Sequence, residues 1–474
     1  MANSINKFNT SVGFLVRVLY VVLMFFTFYA YYLFEDDVLR DELTRVSRIS
    51  VILLSTFMVV IIILIKAYGG YDIGGKRTRE TVLSMCLSVT LTDIITYIQL
   101  CVMYKKVVSI LLLIMAVCTQ YLITALMTKT ANVVHFACNP PQTLLIIYGD
   151  ESKKDMVCHK LKRYQNRFRI KKIMRYDEAE MHRSIRANSA VMLVDVPPER
   201  QEYIIGYCYK REKKVYYLPN LADILINNAH HELIDDISFF RNEHRNLTVE
   251  QRFVKRVFDI IVSLTGIIIS APIMLIEAIA VKCEDGGKIL YRQERETING
   301  KKFKVWKFRT MIENAEKGNQ AVLASENDPR ITKVGAFLRK TRLDELPQLF
   351  NVLAGYMSIV GPRPERESIA QEYYKDLPEF QYRLRVKAGL TGLAQIVGKY
   401  NTTPKDKLVL DLIYIENYSL RFDFKIVLQT LTVFLLPEKS EGFANNDKVV
   451  FIDDSAIDML NYRRDREEHS KIDE

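Results

Sequence analysis

Between residues 250 and 440 the chain has no histidine, and Cys283 is its only cysteine there. A Ser-His-Asp arrangement, a Cys-His pair and a His-ligated zinc site are therefore excluded from that stretch. The seven cysteines of the whole chain form no CxxC pair, and three of them fall inside long apolar runs. Scattered thiols fit a reduced compartment without structural zinc. The G-x-G-x-x-G fingerprint of a dinucleotide site is also missing. The first strand-like stretch, TLLIIYGD at 143–150, offers Gly149 alone. The aromatic and glycine pattern of an RNA or DNA module is absent too, so nucleic acid is not an expected partner.

Apolar residues and positive charge are abundant. The chain has 474 residues, a formal net charge of +10, 49% hydrophobic and 26% charged residues. Its mean hydropathy of +0.00 is high for so charged a chain. The length allows two or three domains. Four runs near 11–33, 49–66, 81–103 and 106–127 approach the ~20 apolar residues of a spanning helix. Arg17 and Asp93 interrupt two of them. No small-residue cleavage site follows the first run, so it reads as an anchor and not a removed signal peptide. The 66–80 loop carries Lys66, Lys76, Arg77 and Arg79, whereas the 34–48 loop holds Glu35, Asp36, Asp37, Asp41 and Glu42. Basic loops face the cytoplasm, which puts the N-terminus and everything after residue 128 there. Lys105 and Lys106 in the third loop point the other way.

The soluble part opens with strand-like segments at 143–150, 190–196 and 213–220, separated by polar helical stretches. This pattern predicts a small parallel α/β unit. A degenerate Rossmann-like module with a structural or regulatory role and a nucleotide-binding one remain the two readings. His230 and His231, with no further ligand nearby, read as a pair on a surface helix. The linker RNEHRNLTVEQR then leads into an apolar run containing Ser270, Pro272 and Glu277. Proline cannot donate a helix hydrogen bond, and a lipid-facing glutamate is costly. A helix that enters, breaks near Ser270–Pro272 and returns satisfies both constraints, and a kinked fifth span is the other reading. Residues 424–436 suit a helix on the membrane surface or in a core. The tail after 460 reads as disordered.

With histidine absent, carboxylates must supply a nucleophile or base in the 250–440 region. Its cations include Arg292, Arg295, Lys302, Lys304, Lys307, Arg309, Arg330, Arg339, Lys340, Arg342 and Arg363. Such a surplus suits an anionic substrate at an anionic membrane surface. In RKTRLDELPQLFNVLAGYMSIVGPRPE (339–365), Leu346, Leu349, Phe350 and Leu353 recur at helical spacing. Gly355 is a natural end, and Pro347 belongs in a first turn. A helix starting near Asp344 is therefore expected, with Asp344 and Glu345 at its positive end. Capping accounts for an aspartate there. The same position would lower the pKa of Asp344, keep it ionised, and let the helix end and Arg339 attract phosphate. An ionised aspartate beside phosphate can attack it, and Glu345 is suited to hold Mg²⁺ or act as base. The prolines around Arg363 present its planar fork to a phosphate or base.

Several segments stand in order: KRVFDI (255–260), Ala271-Pro272, LYRQER (290–295), FKVWKFRTM (303–311), TRLDELPQLFNVLAGYMSIVGPRPE (341–365) and KAGLTGLAQIVG (387–398). This set resembles the catalytic domain of the bacterial polyprenyl-phosphate phosphoglycosyl transferases, monotopic superfamily, over roughly 250–436. Four spans plus a Rossmann-like module resemble its large members, which start O-antigen, capsule and exopolysaccharide synthesis. The resemblance implies transfer of a sugar-1-phosphate from a UDP-sugar to undecaprenyl phosphate, releasing UMP. It implies glucose or galactose before an N-acetylhexosamine, Asp344 as the nucleophile of a covalent phosphosugar intermediate, Glu345 assisting, and Mg²⁺ held by the pair. It assigns Arg339 to phosphate and Pro362, Arg363 and Pro364 to the uridine side, with Lys307 and Arg309 among the substrate-facing cations. Residues 258–281 match the re-entrant helix. Ala271 stands where serine usually precedes the proline, and Lys387 replaces the arginine of V-R-P-G-x-T-G-x-A-Q.

The expected architecture is a mixed α/β membrane protein. Four transmembrane helices occupy 1–130, a degenerate Rossmann-like module 131–245, a catalytic domain with a re-entrant helix 250–440, and a tail 441–474. The bacterial inner membrane is the expected location, with the catalytic domain in the cytoplasm. Inner-leaflet lipids, downstream glycosyl transferases and a homodimer are the other partners compatible with the sequence. A glycosyl transferase releasing UDP and a non-catalytic membrane scaffold are the competing functions.

Overall fold

A computed structural model describes residues 2–434 apart from 46, 73, 76–77, 228, 243–246, 313–327 and 399–401. The tail 441–474 lies outside the described residues. The chain divides into two compact units, one holding Met1–Leu218 and the other beginning at Pro219.

The first unit opens with helices α1 (Ala2–Tyr32), α2 (Asp37–Thr44), α3 (Arg48–Tyr68), α4 (Thr78–Tyr104) and α5 (Ile110–Cys138). A reciprocal cap between Ser47 and Ser50 starts α3, and left-handed Gly69 (φ 69°) stops it. Phe25, Phe28, Tyr32 and Phe57 are buried together between α1 and α3. The α4–α5 contact instead buries small polar residues, among them Ser88, Thr92, Thr96 and Thr124, which let two helix backbones approach closely. Lys106, one of the two lysines that opposed the charge argument, pairs with Asp36 of the acidic loop at 3.2 Å. Among the described residues, α3, α4 and α5 are long and apolar enough to cross a membrane, while the apolar part of α1, Val16–Tyr32, is shorter.

An α/β sequence completes this unit: β1 (Gln142–Tyr148), α6 (Glu151–Leu161), β2 (Phe168–Arg175), α7 (Met181–Ala187), β3 (Ala190–Val194), α8 (Pro198–Tyr209) and β4 (Lys214–Tyr217). The strands form a parallel sheet in the order β2-β1-β3-β4. Leu144–Ile147 of the central strand are fully buried, as a sheet covered on both faces requires.

In the second unit, α9 (Leu221–Ile226) inserts Ile224 into the main core, with Leu221 and Leu225 packed against it. The unit therefore starts ahead of the expected boundary at 245–250, which rested on an exposed linker. His230 and His231 are not on a helix. They begin β5 (His230–Ile234), which pairs antiparallel with β6 (Ile237–Arg241). Leu233, Ile234 and Ile237 of this hairpin are exposed, and Asp235 takes the left-handed turn position at φ 58°.

Helix α10 (Val249–Asp285) carries Pro272 inside one continuous helix, so the chain stays helical through the expected break at Ser270–Pro272. Pro272 itself has no N–H to donate within the helix. Ser270 Oγ donates to the Gly266 carbonyl at 2.7 Å. Helix α10 is also long and apolar enough to cross a membrane. Both its ends nonetheless hold the same fold. Near its start, Lys255 donates to Asp423 (2.7 Å) and the Val360 carbonyl (3.1 Å), while Asp259 accepts from Ser358 Oγ and the Ile359 amide at 2.9 Å. Near its end, Val281 packs with Phe308 and Leu338, Glu284 accepts from the Val334 amide, and Asp285 pairs with Arg309.

The remaining elements are β7 (Leu290–Glu296), β8 (Lys302–Phe308), α11 (Lys333–Thr341), α12 (Gln348–Ala354), β9 (Ser358–Val360), α13 (Glu367–Asp376), β10 (Gly389–Thr391), α14 (Leu393–Val397), α15 (Pro404–Glu416) and α16 (Leu420–Phe434). Strands β7 and β8 form an antiparallel hairpin from Leu290↔Phe308 to Glu296↔Lys302. Helix α16 buries Ile426 and leaves Leu420, Phe424 and Leu431 exposed, so 424–434 is a core helix with an apolar outer edge.

Candidate active site

The chain leaves α11 through Arg342, a non-glycine residue at φ 55°, and passes through a single 3₁₀ turn, Leu343–Glu345. Helix α12 begins only at Gln348. Asp344 and Glu345 therefore lie on the turn before the helix and not at its first amides. The expectation that a helix end lowers the Asp344 pKa is overturned. Asp344 is 8% exposed, and burial first, then the Glu345 charge, push it up to about 6 against the pull of Lys307, Arg339 and Arg363. Glu345 goes the opposite way. Burial raises it, but Arg363 and Lys307 outweigh that effect and hold its carboxyl well below the usual range.

The geometry explains the contrast. Arg363 places Nη2 2.6 Å from Glu345 Oε1 and Nη1 3.3 Å from Oε2, while Lys307 Nζ reaches Oε1 at 2.7 Å. Asp344 accepts no hydrogen bond among the described residues. The turn thus presents one neutralised carboxylate beside a second one that is buried and uncommitted. Arg339 is anchored from the other side, its Nε donating to Thr310 Oγ1 at 2.8 Å.

Each cation is held by a specific support. Asn351, buried in α12, accepts from the Trp306 amide at 2.9 Å and donates to the Lys304 carbonyl at 2.8 Å, fixing β8 where Lys307 projects. Arg383 donates to the Arg363 carbonyl at 2.9 Å and pairs with buried Asp411 at 2.8 Å. The GPRP segment has no room for larger residues at its base. A Cβ on Gly361 would lie 2.4 Å from the Lys387 carbonyl oxygen, and one on Gly389 2.1 Å from the Gly361 nitrogen. Pro362 accepts from the Gly389 amide at 2.8 Å, and Pro364 from Arg295 at 3.2 Å.

Asp344, Glu345, Lys307, Arg339 and Arg363 are thus brought together. Lys387 donates to the Gly355 carbonyl at 2.8 Å, and Arg309 pairs with Asp285, so both are engaged elsewhere. Ser270 and Pro272 remain within α10. Three groups carry roles that the sequence reading did not assign. Asn351 signals itself as a poor helix former amid apolar neighbours. Lys255, Arg256 and Asp259 of KRVFDI prove to be anchors, Arg256 capping the Val352 and Leu353 carbonyls of α12 at 2.8 and 2.7 Å. Glu277, noticed only as a misplaced charge, is 5% exposed, and both its carboxylate oxygens are buried without a hydrogen-bond partner among the described residues.

The model of the family described as bacterial sugar transferase matches residues 250–437, which contain the whole site. The chain is 41% identical over 238 residues to the UDP-glucose:undecaprenyl-phosphate glucose-1-phosphate transferase of Klebsiella pneumoniae, covering 49% of each chain. Over 186 residues it is 39% identical to the UDP-N-acetylgalactosamine-undecaprenyl-phosphate N-acetylgalactosaminephosphotransferase of Aeromonas hydrophila, 39% of this chain and 44% of that one. It is also 40% identical over 200 residues to the exopolysaccharide production protein ExoY of Sinorhizobium fredii, 39% of this chain but 87% of that protein. The chain spans about half the length of the first two relatives and nearly all of the third. Matched across its catalytic unit in this way, the chain belongs to the bacterial sugar transferase family.

Proposed function

We propose that the protein transfers a sugar-1-phosphate from a UDP-sugar to undecaprenyl phosphate, releasing UMP and starting a lipid-linked surface polysaccharide. One observation carries this reading: a buried, uncommitted Asp344 beside a Glu345 already neutralised by Lys307 and Arg363. An Asp344 oxygen attacks the phosphorus that bears the sugar, and the bond from that phosphorus to the UMP oxygen breaks. An undecaprenyl phosphate oxygen then attacks the same phosphorus, and the Asp344 carboxylate leaves. Lys307, Arg339 and Arg363 balance the phosphate charge throughout, and Pro362 and Pro364 hold Arg363 toward the nucleotide. The names of the relatives favour a UDP-hexose or UDP-N-acetylhexosamine donor. Asp344→Asn should release no UMP, because an amide does not attack phosphorus, whereas near wild-type UMP release by that variant would refute the mechanism.

Mg²⁺ fits the hard anionic oxygens of Asp344 and Glu345, although Glu345 would share its carboxylate with two cations. Bound there, the ion would withdraw charge from the pyrophosphate oxygens.

Helix α10 is read as re-entrant, with the catalytic fold on the cytoplasmic face of the inner membrane. The support is mechanical: one polar fold grips both the Lys255 and the Asp285 ends. The α/β module is read as a degenerate Rossmann-like unit with a structural role. Sheets of this order take ligands where the strand order reverses, here between β1 and β3. Lys153 and Asp195 bridge that crevice at 2.6 Å, and a Cβ on Gly149 would come within 2.2 Å of the Asp195 carbonyl oxygen.

A further inference from the structure

The α/β module of the first unit is charged unequally along its strands. Parallel pairing puts the starts of all four strands at one end of the sheet, with Gln142 opposite Phe168, Leu144 opposite Ala190, and Ala190 opposite Lys214. The segments that enter the strands there are basic. Lys162 and Arg167 lead into β2, Lys210 and Arg211 lead toward β4, and Lys214 opens it. All five are exposed, and Glu212 is the one acid in 162–167, 188–189 and 210–214. The segments that leave the strands at the other end are acidic. Asp150, Asp177, Glu178, Glu180 and Asp195 follow β1, β2 and β3, with no lysine or arginine in 149–150, 176–180 or 195–197. Lys153, Lys172 and Arg175 meet this acidic end, pairing with Asp195, Glu180 and Asp177 at 2.6, 2.9 and 3.4 Å. The basic excess is therefore confined to the strand-entry end.

That end is also the one tethered to a membrane helix. Only residues 139–141 separate α5 from β1, so Gln142 lies within about 15 Å of Cys138. Val133 and Val134 are exposed within two turns of Cys138, which carries the apolar surface of α5 almost to the module. We propose that the strand-entry end of this module lies on the anionic lipid headgroups of the bilayer that α5 enters. An anionic leaflet attracts lysines and arginines that closely follow a spanning helix, over roughly 10 Å at moderate salt. Their long stems extend the reach of the charges beyond the strand ends. Tyr164, 37% exposed in the same segment, is an amphipathic ring suited to headgroup level. An acidic soluble protein would meet the same charges, but the short tether turns this end toward the bilayer. The acidic end then points into solvent, the polarity that an anionic surface favours. The inference uses no residue of the transfer reaction and goes beyond it.

The test places a spin label on a single cysteine at Gln165, an exposed neutral position between Lys162 and Arg167, in a background without the native cysteines. The full chain is held in nanodiscs of phosphatidylcholine, with or without phosphatidylglycerol, and collisions of the label with a water-soluble nickel chelate are measured by electron paramagnetic resonance. Phosphatidylglycerol should lower the collision rate at Gln165 at least about twofold, and raised salt should restore it. A label at Ala179, exposed at the acidic end, should be equally accessible in both lipids. Replacing Lys162, Arg167, Lys210 and Arg211 together by glutamine should remove the lipid dependence at Gln165, with melting curves establishing that the variant is folded. Equal collision rates at Gln165 in the two lipids would overturn the proposal without recourse to any variant. So would shielding at Ala179 in place of Gln165, or shielding that neither salt nor the glutamine substitutions reverse. No turnover is read, so the outcome is independent of the sugar-phosphate transfer.

Discussion

Asp344 is held in a state that folding alone would not choose. Its folded pKa of about 6 lies above the usual 3.8, so the folded protein favours the neutral acid. The resulting penalty is absent below pH ~4, grows as pH rises, and is complete above pH ~6. Asp344→Asn should therefore stabilise the protein at pH 8 in a chelator by about 1–3 kcal/mol while abolishing turnover. Thermal melts at pH 4 and pH 8 check the sign, since the gain should vanish at the lower pH. A second prediction concerns a residue that touches no substrate. Asn351→Leu leaves the Trp306 amide and the Lys304 carbonyl without their partner. It should cost about 1–3 kcal/mol of stability and lower kcat through a displaced Lys307. Unchanged kcat in the folded variant would make Asn351 purely architectural. The sequence revealed the acidic pair and the cations, because their residue types are unusual together. It did not reveal which carboxylate is neutralised, since that depends on Lys307 and Arg363 converging from distant segments.

At the scale of elements, α10 poses the sharpest question. Its 37 residues would extend about 55 Å if straight, well beyond a ~30 Å hydrocarbon core. Pro272→Leu restores a backbone donor and should favour a helix that crosses. A single cysteine at Lys301, in a background without the native cysteines, should be protected from an impermeant reagent in intact cells. In the Pro272→Leu variant it should be labelled at least in part, with activity falling in proportion. Labelling of the unmutated helix would make α10 an ordinary span. Sequence periodicity found β1, β3 and β4 but passed over β2. FRIKKIMR breaks its alternation at Lys171–Lys172, where the register against β1 also shifts between Leu144 and Leu145. The 3₁₀ turn at Leu343–Glu345 was likewise hidden, because Pro347 is compatible with either helix start.

At the scale of the whole molecule, the catalytic unit begins at Pro219, and α9 belongs to its core. A chain starting at Pro219 should retain UMP release in detergent, and one starting at Leu247 should melt at a lower temperature because the Ile224 site is left empty. Equal melting temperatures would show that α9 contributes nothing. In the proposed mechanism Asp344 carries the sugar phosphate covalently between two transfers, from UMP to Asp344 and from Asp344 to the lipid phosphate. Incubation of the purified chain with a UDP-hexose, without undecaprenyl phosphate, isolates the first transfer. Mass spectrometry of the acid-quenched protein should find one hexose phosphate on the peptide containing Asp344, matched by an equal amount of UMP. Release of UDP, or UMP formed with no modified peptide, would contradict the account.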